Sequence, residues 1–324
     1  MFARLTAAAA LAVAFALPAS AAELRLSHQW STKDVRHKVA QMIADEVKDD
    51  DIDITIYPSK SLFKPREQYK PLSRGQLDMV VLPLAYAAGQ RPAYNLTLMP
   101  GLVKNHDHAA RLSDSDFMKQ LEEQMAEDDV MVLVHGYLAG GFVGKNKCIT
   151  NPKDVEGLQM RAAGKSFEKM LEGAGASIAS MASSELYNAL QTDVLQAANT
   201  SSSSFVSYRI FEQVECYTPA GDVALWFMYQ PLLMNKTAFD GLSEEQQKAL
   251  MEAAEKAEAF YLEEAKKADA RSAEVFEKNG VEIKEMTQED FEAWRDLAKE
   301  TAYKDFVGGD EANQKLLDAA LAVE

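Results

Sequence analysis

Asp154-Val155-Glu156-Gly157-Leu158-Gln159-Met160-Arg161-Ala162-Ala163-Gly164 reads as a turn, a short strand and an abrupt exit. Leu158 and Met160 alternate with polar neighbours, which puts them on one face of a strand, and the small residues after Arg161 let the chain bend away at once. Arg161 then stands at the mouth of a strand rather than on a solvated helix face. Its guanidinium is a rigid fork of donors that fits a carboxylate with two parallel bonds, and it stays charged at physiological pH. A surface or salt-bridged arginine is the other reading of the same spacing.

Outward from this stretch the pattern repeats. Residues 166–172 have helical spacing and 176–179 read as another strand, so the segment opens an α/β unit. Upstream, 24–27 and 52–56 alternate as strands, 34–47 carry apolar residues at helical spacing, a helix around Tyr69 and Leu72 leads to Gly75, and 79–82 form an apolar run suited to a buried parallel strand. That order is a wound α/β arrangement. Residues 86–100 have little periodicity and read as a loop, 117–125 as a helix, and 130–134 as a buried strand. The glycines of 136–142 suggest bending or close backbone approach at a first crossing between two lobes. Further on, 184–192 read as a helix and 194–198 as a strand. The four serines at 201–204 follow, as a tight strand-to-helix junction whose hydroxyls and amides point to one place.

Downstream, the aromatic cluster 225–229 precedes a strand at 232–234. Ser243-Glu244-Glu245-Gln246 is a capping box that opens a long helix running to about residue 278 and stopped by Asn279-Gly280. Residues 288–306 return to helix.

The totals narrow the function. Residues 5–17 are almost unbroken apolar sequence and Pro18-Ala19-Ser20-Ala21 ends in small residues, which reads as a secretory signal, 1–21, cleaved after Ala21. The run is shorter than the roughly 20 residues that span a bilayer. The expected mature protein is therefore exported, periplasmic and not itself embedded in a membrane. The chain carries 34 basic and 50 acidic residues, net −16, and loss of Arg4 makes it −17. Such a surface repels nucleic acid and anionic lipid, so an anion must be met by locally concentrated positive charge. The remaining length exceeds one ordinary core and points to two lobes.

Cys148 and Cys216 allow one pairing; an oxidising compartment favours a bridge, and two small buried thiols are the alternative. They share no metal-ligand spacing with the five histidines, and His106 and His108, flanking an aspartate, read as solvated. There is no glycine-x-serine-x-glycine elbow, phosphate loop or dinucleotide fingerprint. No cofactor, metal or catalytic residue is expected. Ligands in α/β folds sit beyond the carboxyl ends of the strands, and the candidate floor is Trp30, Tyr86, Phe142, Arg161, Asn199, Thr200 and Trp226. Each aromatic alone is more often core than pocket.

Several runs resemble the DctP-type solute-binding proteins of TRAP (tripartite ATP-independent periplasmic) transporters: Ile56-Tyr57-Pro58, Gly75-Gln76-Leu77-Asp78-Met79, Pro152 through Arg161, Gly175-Ala176, Glu185-Leu186-Tyr187-Asn188-Ala189-Leu190-Gln191-Thr192 and Asn235-Lys236. The resemblance covers nearly all of the mature chain. It implies an α/β, two-lobed periplasmic binding protein fold with hinge-crossing strands and a long C-terminal helix spanning the lobes. Lobe I would hold 22–139 with about 224–265, and lobe II about 140–223 with about 266–324. The implied function is a non-catalytic receptor that closes on a small organic acid and delivers it to the TRAP membrane permease.

By the same resemblance Arg161 is the carboxylate clamp and Asn199 or Thr200 the pocket asparagine's counterpart. Gln29, Trp30, Lys64 and Tyr86 match the loops after the first three strands. The sequence departs from the family where Gln196-Ala197-Ala198-Asn199-Thr200-Ser201 replaces the usual aspartate-glycine-x-glutamate-asparagine-proline, and where Ala162 follows the arginine instead of proline. Trp30, Phe142 and Trp226 would suit a flat or apolar ligand body. The rival readings are a periplasmic enzyme acting on small organic acids, and a receptor for a zwitterion or amine with Asp222 meeting the cation.

Overall fold

A computed structural model describes residues 21–221 and 224–324. Residues 1–20 of the expected signal segment and Asp222 lie outside the described residues. Twelve strands form two sheets: β1 (Ala22–Ser27), β2 (Ile52–Tyr57), β3 (Met79–Val81), β4 (Val130–Val134), β5 (Tyr137–Gly144), β6 (Gln159–Ala162), β7 (Ser177–Ser180), β8 (Ala197–Ser201), β9 (Cys216–Thr218), β10 (Trp226–Tyr229), β11 (Leu232–Asn235) and β12 (Glu282–Ile283). The first sheet has the order β2-β1-β3-β11-β4, with β1 parallel to β2 and β3, and β11 antiparallel to both its neighbours. The second has the order β12-β9-β5-β8-β6-β7, with β10 also paired to β5. Helices cover both sheets, which buries β3 and β5 on both faces and accounts for their near-continuous apolar or small residues.

The chain passes between the sheets directly at His135-Gly136 and at Gln230-Pro231, and a third time along the helix Glu244–Lys278; the two direct crossings are tied by the Gln230 amide donating to the Gly136 carbonyl (2.7 Å). The lobe boundary expected at 139/140 falls inside β5. The one expected at 223/224 precedes β10, which joins the second sheet rather than the first.

The helix Glu244–Lys278 packs on β4 and the helix Val35–Glu46 at one end, and on β5, β12 and the helix Ser202–Ser207 at the other. Its buried stripe, Leu250, Ala253, Ala254, Ala257, Tyr261, Ala265, Ala268, Ser272 and Phe276, follows helical spacing. Alanines dominate that stripe, so the helix axis lies close to both sheets. Gly136 is needed at the same place: a Cβ there would lie 2.0 Å from the Tyr261 ring.

Three readings are corrected. Residues 86–100 are not an open loop but contain 3-10 turns Leu84–Ala87 and Pro92–Leu98 with Tyr94, Leu96 and Leu98 in the core; a 3-10 repeat carries no 3.6-residue signal. The strand expected at 194–198 starts at Ala197, because Asp193 turns the chain with φ 58° and leaves Val194 exposed. The helix expected at 288–306 is present, running from Gln288 to Val307 with a π turn at Lys299–Tyr303. His106 and His108 are not solvated: His106 Nε2 pairs with Asp269 (2.7 Å), and His108 is buried between the Lys104 amide and the Val323 carbonyl. Cys148 and Cys216 are joined in a disulfide that ties the approach to β6 to β9.

Candidate functional site

Arg161 sits near the end of β6, in register with Ala179 of β7 and Ala198 of β8, so its side chain leaves the sheet between two small residues. It is buried. Its Nε donates to the Met181 carbonyl (3.1 Å), Nη1 to the Asn199 carbonyl (2.5 Å) and Nη2 to the Tyr86 hydroxyl (2.9 Å). A guanidinium has five N–H donors, so one remains on each Nη for an acceptor from a ligand. No acid pairs with it among the described residues. Burial lowers its pKa, and the Tyr86 phenol offsets part of that.

Tyr86 is the bridge. Its hydroxyl also accepts from the Ser183 amide (3.2 Å), and the Arg66 guanidinium lies 4.5 Å above its ring. Burial pushes the phenol's pKa up, yet Arg161 and Arg66 outweigh it and the net shift is downward. A buried tyrosine shifted this way reports a positive field, which favours any anion brought into the cleft.

Facing Arg161 across the cleft is a second arginine that the sequence did not single out. Arg36 lies in the first turn of the helix Val35–Glu46, whose N-cap is Asp34. The Asp34 carboxylate takes bonds from Arg36 Nε (2.6 Å) and Nη2 (2.6 Å). The remaining donors reach Gln230 Oε1 (2.7 Å), Ser201 Oγ (3.3 Å) and Ser204 Oγ (3.0 Å). Burial raises the Asp34 pKa less than Arg36 depresses it, and the arginine's own pKa moves up. The Trp30 ring covers the guanidinium at 3.9 Å. An aspartate N-cap followed by arginine is the ordinary start of a surface helix, so only the fold reveals this pair. The serine junction at 201–204 was the one signal on its partner side.

Arg36, Pro83, Tyr86, Arg161, Ala163, Ser183, Thr200, Ser204, Trp226, Met228 and Gln230 enclose a cavity of about 10 Å³, room for one water. Of the residues singled out in the sequence, Tyr86, Arg161, Thr200 and Trp226 come together here. Trp226 Nε1 is buried without a protein partner. Thr200 lines the cavity; Asn199 contributes its carbonyl to Arg161, and its buried amide group has no protein partner. Trp30 and Gln29 stand behind the wall, Trp30 against Arg36 and Gln29 with its carbonyl accepting from Tyr208 (3.2 Å). Phe142 and Lys64 are not brought in. Phe142 stacks on Trp294 (5.5 Å) in the core, and Lys64 is exposed beside Glu67.

A larger hollow, about 640 Å³, opens on the outer side between β4 and the long helix. Asp114, Glu252, Glu255 and Glu258 line it, which opposes an anion.

Residues 26–308 match the family described as bacterial extracellular solute-binding protein, family 7 (DctP). A solute-binding protein of Albidiferax ferrireducens is 34% identical over 310 residues, covering 93% of this chain and 92% of that one. The crystal structure of a TRAP periplasmic solute binding protein from Rhodoferax ferrireducens, with bound malonate, superposes with a TM-score of 0.88 at 34% identity over 92% of this chain and 96% of that chain. One from Sulfitobacter sp. NAS-14.1, with bound β-D-galacturonate, gives a TM-score of 0.85 at 22% identity over 92% and 99%.

Proposed function

The chain belongs to the family 7 (DctP) extracellular solute-binding proteins, and from that premise we propose that it is the periplasmic receptor of a TRAP transporter, carrying a short organic acid to the membrane permease. The observation that carries this reading is Arg161: buried, without an acid partner among the described residues, and with one N–H left on each Nη. Burying an unpaired charge is costly, by several kcal/mol after relaxation. A ligand carboxylate supplies the missing charge and both acceptors. The malonate bound by the 34% identical Rhodoferax relative, a short organic acid, supports that class of ligand.

The lobes part at the crossings 135–136 and 230–231, admit the acid, and close so that Tyr86 and Ser183 meet again over it. The role is one of binding and release, with no chemical step. Lys64 stays in solvent on this reading, and the aromatic wall is Trp226. Among the described residues no helix is long and apolar enough to cross a membrane, which suits delivery to a separate permease.

Replacing Arg161 with alanine is expected to abolish calorimetric binding of short organic acids while leaving the circular dichroism spectrum and melting cooperativity intact. Unchanged affinity in Arg161→Ala removes the reading.

A further inference from the structure

Asp34, Arg36 and Arg161 are the only aspartate, glutamate, lysine or arginine residues buried among the described residues, and all three belong to this one cleft. Asp34 and Arg36 cancel through two short bonds. The buried group therefore carries one positive charge, that of Arg161. Arg66 lies over the Tyr86 ring and adds to the positive field, but its side chain is exposed, so water and salt screen it and it is not a buried counter-charge for a second carboxylate. One ligand carboxylate makes the closed site neutral. A second would be buried without a counter-charge, because the Arg36 fork is already turned on Asp34. The rest of the wall, Pro83, Ala163, Ser183, Thr200, Trp226 and Met228, carries no charge and accepts an uncharged, partly polar remainder.

Resting on the receptor reading above, we propose that Asp34 sets the charge of the ligand: with Arg36 neutralised, the cleft takes short monocarboxylates, and takes a dicarboxylate only together with a proton. Asp34 acts as a specificity-determining residue without touching the ligand. Size does not enter the distinction, since an acid and its half-amide are nearly isosteric and differ in one charge.

The test is calorimetric titration at pH 6 and pH 8 with malonate against malonamate and succinate against succinamate, with pyruvate and lactate as simple monocarboxylates. At pH 8 the tighter-binding half-amide is expected to exceed its parent diacid at least tenfold. The diacid's affinity should fall about tenfold per pH unit above its second pKa, and titration in buffers of different ionisation enthalpy should show uptake of one proton. Asp34→Asn keeps a good N-cap while removing the charge, and is expected to reverse the order in favour of the diacid. If that variant misfolds, the wild-type comparison decides alone.

A diacid that binds as tightly as its half-amide at pH 8, without proton uptake but dependent on Arg161, overturns the charge rule and leaves the receptor reading standing. Binding that survives Arg161→Ala, or a panel in which nothing binds, overturns the receptor reading and this inference with it.

Discussion

At the residue scale the site turns on which donors are already satisfied. Arg161 was legible because its position, between an alternating strand and a run of small residues, is one that sequence spacing can encode. What Thr200 and Asn199 each do was not, since adjacent residues of one strand face opposite ways and a one-residue uncertainty exchanges their roles. Phe142 and Lys64 misled for a related reason: being in the right loop or strand does not fix which face a side chain takes. Tyr86 is more than a wall, because from the first lobe its hydroxyl accepts from both Arg161 and the Ser183 amide of the second. Tyr86→Phe removes both acceptors at little change in volume. The expected loss in ligand affinity is about tenfold, from about 1–2 kcal/mol of bonds to charged and buried donors. Titration calorimetry of the variant checks this, and an affinity within twofold of wild type would show that the phenol is not part of the clamp.

At the scale of elements, the strand-helix-strand order and the capped long helix were legible from period and end signals, and both are present. The Asp34-Arg36 pair was hidden because a helix start looks alike whether it faces solvent or a second lobe. Just before that helix, at the end of β1, His28 is fully buried, its Nδ1 accepting from the Trp30 amide (3.2 Å) and its Nε2 meeting His37 Nδ1 (3.0 Å). Burial first, and His37 second, lower its pKa from 6.5 to about 4. A histidine whose folded pKa is depressed contributes fully above the unfolded value, and that contribution is lost as pH falls toward the folded value. Stability is therefore expected to decline between pH 6.5 and about 4. Denaturant titrations at pH 7 and pH 5 should show the decline in wild type and a flatter dependence in His28→Gln. An equal slope in both would assign the acid sensitivity to other groups.

At the scale of the whole molecule, the two lobes are coupled by the same groups that are proposed to hold the ligand. The polar contacts across the cleft are Arg161 and Ser183 to Tyr86, Arg36 to Ser201 and Ser204, Arg66 to the Met181 carbonyl, Ser166 to the Asn95 carbonyl and Tyr208 to the Gln29 carbonyl, beside an apolar seam in which Ala85 and Leu98 meet the segment around Gly164. Against them stands the cost of keeping Arg161 buried and unpaired, several kcal/mol in closed geometry and nearly nothing when water reaches it. The closed arrangement leaves only about 10 Å³ at the site, so even a three-carbon acid must enter through an open state. An anion shifts this equilibrium only through its preference for the closed form, and the proposed pairing with Arg161 would supply that preference. The radius of gyration from small-angle scattering should accordingly exceed that of the present structure for the free protein, and fall to it on saturation with a ligand that binds. Arg161→Ala should show no such fall, and in that variant the free protein should favour closure more than wild type does, because the unpaired charge is gone. A free wild-type protein already as compact as this structure would mean that the polar contacts outweigh the buried charge, and that the ligand enters by local fluctuation rather than by lobe opening.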